Sequence, residues 1–534
     1  MHLLEYEYGF SADKIFVTWE CEWTVQRKNP EIAKYLQEHP PRPLTRLFPQ
    51  QAVKTALNES YVLHFNSCNQ EKNTDKKSKL YAADMSSLFP YCALNLQVPL
   101  GQYSTVVGEE INFSKLLFTE ENFIYDGNAY QGLLQARVLP PQNLLHPFLL
   151  TKVKSQSLAV LCRTCAVTLR QKQCNHNEEQ RSLTDVWTTV ELCFAVSKLN
   201  YKVLDVYEMM LYTEKGPILE KFVCLLGWHK IRFAPLPVGL DVRKNHEMQA
   251  YCDLLNEQMK FKDRIGKTLQ IADLQPSKLF RAFFKNALNK WLGHFSTNLE
   301  KRTVTKIIDS RDDLEYYAAR GEVDSITLVN SRYLQLTLNS KTLCKNRQVS
   351  RKSCATIGAF VTSMARIVIF KEVMALLEKQ AQILKISCDA VFFSLPFDCP
   401  NFLNYSEAFG FWKPIYPNQL SALSQMGIYN YSVLYEGDNN EMVSEAKCSG
   451  LTMTHLVTTE LTYSVYSDAV HTLIKNKLFD FRQIKYAQIR KKTDLKNVTT
   501  GYVRKERSIF SRNVLSRRKL VKDSFETIPY GWKC

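Results

Sequence analysis

One carboxylate of this chain sits where chemistry is easily built. Asp84 ends an apolar approach, Leu80-Tyr81-Ala82-Ala83, and is followed by Met85-Ser86-Ser87-Leu88-Phe89-Pro90, a turn that presents an aromatic ring. A second acid, Asp389, lies in Ser387-Cys388-Asp389-Ala390-Val391-Phe392-Phe393, among apolar and small residues where an unpaired carboxylate would be costly to bury. Two carboxylates brought together can hold a divalent cation, and a metal-dependent nucleotidyl-transfer site requires an acid, a turn and a ring of this kind. Ser387 stands where another carboxylate is expected.

Two further groups of residues could do chemistry. In the segment from Lys278 to Phe295, the residues Arg281, Lys285, Asn289 and Gly293 recur every four positions, so a helix would align them on one face. Cations there neutralise a triphosphate, the amide hydrogen-bonds beside it, and glycine admits a base or a backbone. The plainer reading of this stripe is a solvated helix face. Cys162, Cys165, Cys174 and His176 form C-x-x-C followed by C-x-H, a spacing compatible with a tetrahedral structural zinc ion, the alternative being buried thiols.

The elements that must position these residues follow from pattern. The approach to Asp84 has strong β propensity, and Val203 to Leu211 reads as a strand; Met248 to Phe261 and Lys278 to Phe295 read as helices. Gln97 to Pro147 is turn-prone, and Val304 to Leu343 is β-rich. A long helix is predicted from Ile357 to Leu384 and a short strand from Ile386 to Leu395. Pro40-Pro41-Arg42-Pro43 breaks the leader, and Asn66 to Lys79 is a polar connection. No internal repeat is present.

Composition sets the class. The chain has 534 residues, 45% of them hydrophobic, enough for several cored subdomains. Lys and Arg number 69 against 53 Asp and Glu, a net charge of +16 that favours a polyanionic partner. No apolar run approaches the roughly 18 residues a membrane helix needs, and the N-terminus does not read as a signal peptide. The 15 cysteines are scattered along a long chain, which favours reduced thiols and a soluble, intracellular protein without a membrane partner.

Taken in order, D-x-x-S-L-F-P, then K-x-x-x-N-x-x-x-G, then a short strand with an acid, the signals resemble the three motifs of family B DNA polymerases. Within that family they resemble the protein-primed branch of phages, viruses and Maverick/Polinton-type transposons. Supporting text includes Trp19-Glu20-Cys21-Glu22-Trp23, Arg46-Leu47-Phe48-Pro49, Leu139-Pro140-Pro141, Leu161-Cys162-Arg163-Thr164-Cys165, the T-x-x-A-R signal Thr362, Ala365 and Arg366, and the ending Ile528-Pro529-Tyr530-Gly531. The resemblance implies an α+β right-hand core: a palm with an antiparallel sheet carrying Asp84 and Asp389 on neighbouring strands, helical fingers and a thumb. It implies an exonuclease–palm junction remnant at 1–70, palm at 71–105, an insertion at 106–240 facing the priming protein, fingers at 241–297, further palm with a β-rich insertion at 298–470, and a basic thumb at 471–534.

The activity implied is template-directed addition of dNTPs to a DNA primer by two-metal catalysis, with a terminal protein as primer and without proofreading. Asp84 and Asp389 would ligate Mg²⁺ or Mn²⁺. Ser87, Leu88 and Phe89, with Arg281, Lys285 and Asn289, would bind the nucleotide; Thr362, Arg366 and Tyr463 would hold the DNA. The sequence departs from the family at Ser387 for the first acid of Y-x-D-T-D-S, at Phe89 for a tyrosine, at Lys290 for a serine and at Leu461 for the lysine of K-x-Y. These departures keep a second reading open, a catalytically weak or inactive relative that binds DNA or a terminal protein.

Overall fold

The computed structural model describes residues 20–26, 28–38, 46–67, 78–154, 156–170, 172–237, 239–297, 304–328, 333–338, 354–416, 418–437, 439–449, 451, 453, 455–476, 483–493, 498–508 and 517–533. The chain divides into two compact units, Met1–Arg46 and Leu47–Cys534. The first contains helices Glu20–Gln26 and Pro30–Glu38. Pro30 opens its helix where no N–H partner is needed, and Asn29 Oδ1 accepts the Glu31 N–H at 2.9 Å.

The second unit is α+β with antiparallel sheets. Its main sheet has nine strands: β1 (Asn58–Ser60), β2 (His64–Asn66), β3 (Ser78–Met85), β4 (Gln382–Ser387), β5 (Ala390–Pro396), β6 (Trp412–Pro414), β7 (Leu420–Gln425), β8 (Asn430–Glu436) and β9 (Met442–Cys448). The order is β1-β4-β5-β3-β7-β8-β9, with β6 on β3 and β2 on β7. Val391, Phe392, Phe393 and Leu395 of β5 are all buried, so this central strand is covered on both faces. The strand leading to Asp84 and the motif far downstream thus become neighbours, with Asp84 opposite Ala390.

Four helices matter to the site: α1 (Leu88–Asn95), α2 (Glu220–Arg232), α3 (Lys278–Phe295) and α4 (Ala355–Glu378). Buried side chains run through α4 from Thr356 to Leu376 on every side, as expected of a helix that is apolar all round and lies inside the core. Its Phe360 and Phe370 are each 2% exposed or less, and burying a side chain of that size stabilises by about 1.5–3 kcal/mol. The Ser277 hydroxyl caps α3 by accepting the Phe280 N–H, and Leu288, Trp291 and Leu292 bury one face of that helix.

A six-stranded antiparallel sheet is built from 98–107, 116–118, 123–125, 128–139, 183–188 and 202–216. It holds the strand expected at Val203 to Leu211, and it shows that Gln97 to Pro147 is largely strand. Several of the Pro and Gly residues there sit in its connections, but Gly132 lies inside 128–139, where a Cβ would meet Met210 O at 2.1 Å; this buried strand pairs on both edges. The β-rich expectation for Val304 to Leu343 holds for strands 304–308, 323–328 and 334–338, but Arg311–Ala319 is a helix started by Ser310. The helix predicted to reach Leu384 ends at Glu378, because Gln380 takes φ +61° and Gln382 begins β4. Pro40 to Pro43, most of Asn66 to Lys79 and residues 339–343 lie outside the described residues.

Candidate active site

The single strand expected from Ile386 to Leu395 is two strands, β4 and β5, joined by a tight turn at Cys388 and Asp389. Cys388 holds φ +63° and donates its N–H to Leu57 O at 3.1 Å; Asp389 O accepts the Met85 N–H at 2.8 Å. Asp389 is therefore not inside a strand but at the tip of a hairpin pinned on one side by the chain before β1 and on the other by the residue after Asp84. The two acids reach the same end of the sheet.

Asp84 and Asp389 line one cleft of about 700 Å³ together with Ser387, Lys413, Tyr429, Tyr431 and Lys447. Burial, and next the Asp389 charge, pushes the Asp84 carboxyl up to about 6, against the pull of Lys285, Lys413 and Lys447. Burial likewise raises Asp389, opposed by hydrogen bonds from its own backbone and the Cys388 thiol and by Lys285. Two half-buried carboxylates that disfavour each other's ionisation, with the Ser387 oxygen beside them, are a hard-oxygen donor set that a divalent cation would satisfy.

The cationic side of the site comes from three elements. Lys285 projects from α3 close enough to act on both acids. Arg281, one turn earlier, pairs with Glu407 at 3.5 Å, and Glu407 also takes the Lys413 ammonium, whose residue lies opposite Asp84 in the β3–β6 register. Phe233, Pro235, Pro276, Ser277, Lys278, Arg281 and Lys285 border an adjoining groove of about 430 Å³. Asn289 is exposed further along the same stripe, and nothing within 4 Å would meet a side chain at Gly293.

The turn after Asp84 is held from below. Ser87 adopts φ +52° ahead of α1, and its Oγ accepts from Lys230 Nζ at 2.6 Å. Burial drops the Lys230 ammonium to about 7, helped by the Lys413 charge, and its Nζ lies 4.9 Å from the centroid of the Phe409 ring. Leu88 is buried in the core and Phe89 is half-buried beside it. Gly410, at φ +82°, is required here: a Cβ would lie 2.4 Å from the Tyr91 ring.

Other predicted residues lie elsewhere. Thr362 is buried and its hydroxyl bonds back to Gly358 O and Ala359 O in its own helix. Arg366 is 1% exposed. Its guanidinium donates to Glu191 at 2.8 Å, to Lys54 O and Thr55 O, and to Ser363 Oγ at 3.0 Å. Every donor is taken inside the protein, so the expectation that Thr362 and Arg366 hold DNA phosphates is corrected: they tie α4 to the core. Tyr463 opens helix Tyr463–Asn476, half-buried near His64, and is not among the residues lining the acidic cleft. Arg517 and Arg518, two of the basic C-terminal residues, bind Glu59, Ser157 O, Thr527 and Leu145 O within the fold.

Away from the cleft, Cys162, Cys165, Cys174 and His176 converge, their ligand atoms all within 4.8 Å of one another. The bond shared between the two thiols holds Cys162 down to about 5 and pushes Cys165 up.

Sequence reasoning missed Lys230, Lys413, Glu407, Tyr429, Tyr431 and Lys447. None belongs to a local pattern, since each reaches the site from an element placed only by the fold. The site as built, a carboxylate pair facing cations across an open cleft, suits a divalent cation and an anionic substrate.

Over residues 47–232 the chain matches the family model of DNA polymerase type B, organellar and viral. Among solved structures, Phi29 DNA polymerase complexed with primer-template DNA is similar at 10% identity and a TM-score of 0.46, over 86% of this chain and 61% of that one. Phi29 DNA polymerase with primer-template DNA and incoming nucleotide substrates gives 10% identity and a TM-score of 0.48, over 91% and 70%. This chain thus spans 61% of the length of the first of these. No curated protein matches it.

Proposed function

We propose that the chain is the polymerising core of a protein-primed type B DNA polymerase, extending a DNA primer with dNTPs as a template directs. One observation carries this reading: Asp84 and Asp389, 305 residues apart, meet in one cleft that Lys285 also reaches, in a chain whose residues 47–232 match the type B family. The nine-stranded sheet would be the palm, 241–297 with α3 the fingers, 106–240 the region facing a terminal protein, and 471–534 the thumb. Primer-template DNA, dNTPs and a terminal protein would be the partners, in an intracellular setting. Among the described residues no helix is long and apolar enough to cross a membrane.

Asp84 and Asp389 would hold Mg²⁺ or Mn²⁺, which when bound supplies activation of the primer 3′-hydroxyl and neutralisation of the phosphates. Lys285, exposed and within reach of both acids, would take the triphosphate, and Arg281, paired with Glu407, would complete the grip. Ser87 and Leu88 would shape the floor beneath the nucleotide; Phe89 would exclude a ribose 2′-hydroxyl by bulk. Asn289 would lie near the nascent base pair and Tyr463 near the primer. Cys162, Cys165, Cys174 and His176 would hold a structural zinc ion.

The test is primer extension on a defined primer-template with Mg²⁺ or Mn²⁺. Wild type is expected to extend, and Asp84→Ala to lose at least about a thousandfold in rate, equivalent to ~4 kcal/mol of transition-state stabilisation. Extension no faster than Asp84→Ala under either metal would leave only the inactive, DNA-binding relative.

A further inference from the structure

The cysteine–histidine cluster is tied to the end of the chain. His176 Nδ1 lies 3.5 Å from Cys162 Sγ, 3.3 Å from Cys165 Sγ and 3.5 Å from Cys174 Sγ. A neutral imidazole nitrogen has one lone pair and cannot accept three thiol hydrogens. A tetrahedral zinc ion with bonds of about 2.3 Å to sulfur and about 2.05 Å to nitrogen gives S···N edges of about 3.6 Å, close to the separations seen. The three cysteines are at most 5% exposed, and Cys162 Sγ also accepts the Cys165 N–H at 3.4 Å, the bond a thiolate in a C-x-x-C turn would attract.

Cys162 serves two purposes. The amides of Leu161 and Cys162 both donate to Tyr530 O, at 2.8 and 3.1 Å. Gly531 follows at φ +96°, so close that a Cβ there would sit 2.4 Å from Cys162 Cβ. Tyr530 is wholly buried. Upstream the same segment threads the palm-like sheet: Leu63 N–H donates to Phe525 O, Thr527 N–H to Tyr61 O, and the Thr527 hydroxyl to Ser60 O. Ser60 ends β1, whose Asn58 pairs with Ser387 beside the Asp389 turn.

We propose that metal binding at Cys162, Cys165, Cys174 and His176 clasps the C-terminal segment 525–533 onto the fold, so that the metal-loaded cluster fixes the strand that buttresses the Asp389 turn; this rests on the zinc reading of the cluster. The metal orders the 161–165 turn, and the ordered turn presents the two amides that Tyr530 needs. By reciprocity, a tail that cannot dock must weaken metal retention by the same factor.

The experiment uses the full chain purified without added metal. Metal content is measured, Co²⁺ is substituted for its thiolate and tetrahedral absorption, and intact mass is recorded. Amide hydrogen exchange is then followed at 161–162 and 525–533 before and after metal removal by a chelator, with β3 as internal reference. One zinc per chain is expected, with exchange at 161–162 and 525–533 at least tenfold faster after removal and β3 unchanged. Gly531→Val, which leaves all four ligands, is expected to release zinc to a chelator at least tenfold faster; Cys174→Ser is expected to lose the metal. Absence of zinc and of Co²⁺–thiolate absorption, or a mass lower by the two hydrogens of a disulfide, would overturn the zinc reading itself. Stoichiometric zinc with unchanged tail exchange after its removal would overturn the clasp and leave the zinc site standing.

Discussion

Replacing Arg366 by methionine tests whether this side chain belongs to the core or to a DNA surface. The guanidinium and Glu191 are both fully buried and 2.8 Å apart, and Ser363 Oγ donates to the other Glu191 oxygen at 2.9 Å. Removing one member of such a pair leaves a buried carboxylate uncompensated, which costs about 3–5 kcal/mol. Lys54 O and Thr55 O lose their donor as well. In a unit of several hundred residues that loss lowers the melting temperature by roughly 3–5 °C. The double variant Arg366→Met with Glu191→Leu should recover most of it, because neither member of the pair is then left buried without its partner. Differential scanning calorimetry of the single and double variants measures this, with duplex binding followed over a salt series. Unchanged melting, together with weaker binding whose log–log salt slope is smaller by about 1, would refute the argument and return Arg366 to the DNA surface.

Other perturbations have defined outcomes. The fold raises the Asp84 pKa, so in metal-free protein this group's stabilising contribution is complete below its ordinary value of 3.8 and is lost as pH rises through about 6. Asp84→Asn should therefore raise the melting temperature near pH 8 and leave it unchanged near pH 4, and added Mn²⁺ should stabilise only the wild type near pH 8. Ser387→Asp puts a third carboxylate on the lining of the cleft and should tighten Mn²⁺ binding about tenfold, worth ~1.4 kcal/mol, measured by calorimetric titration. Lys285→Ala should raise the KM for dNTP about ten- to a hundredfold by losing a charge-assisted phosphate contact, while melting is unchanged because the side chain is exposed.

The legible parts of this protein were those encoded locally. The Lys278 to Phe295 helix was readable to the residue because Ser277 caps it and its apolar face keeps the helical period. Asp84 was readable because an apolar strand leads to it. The Asp389 hairpin was not, since its turn uses Cys388 at φ +63° where a Gly or Asn would have announced a left-handed residue. The end of α4 was missed because Ile383 and Leu384 continue the apolar pattern into β4. Arg366 was misplaced because its partner Glu191 lies 175 residues upstream, and nothing in T-x-x-A-R tells a phosphate contact from a buried ion pair. Lys230, Lys413 and Lys447 are unremarkable in sequence: the last two acquire meaning only from the sheet that brings them to Asp84, and Lys230 only from the helix that brings it to Ser87.

Single-nucleotide incorporation tests the central claim most directly, using a primer-template with one unpaired template base, each of the four dNTPs in turn, and Mg²⁺ or Mn²⁺. The carboxylate pair and the cationic α3 face predict that wild type adds the matched dNTP far faster than the mismatched ones and that Asp389→Asn abolishes addition. Addition that ignores the template base, or that survives Asp389→Asn at the wild-type rate, would contradict a template-directed polymerase built on Asp84 and Asp389.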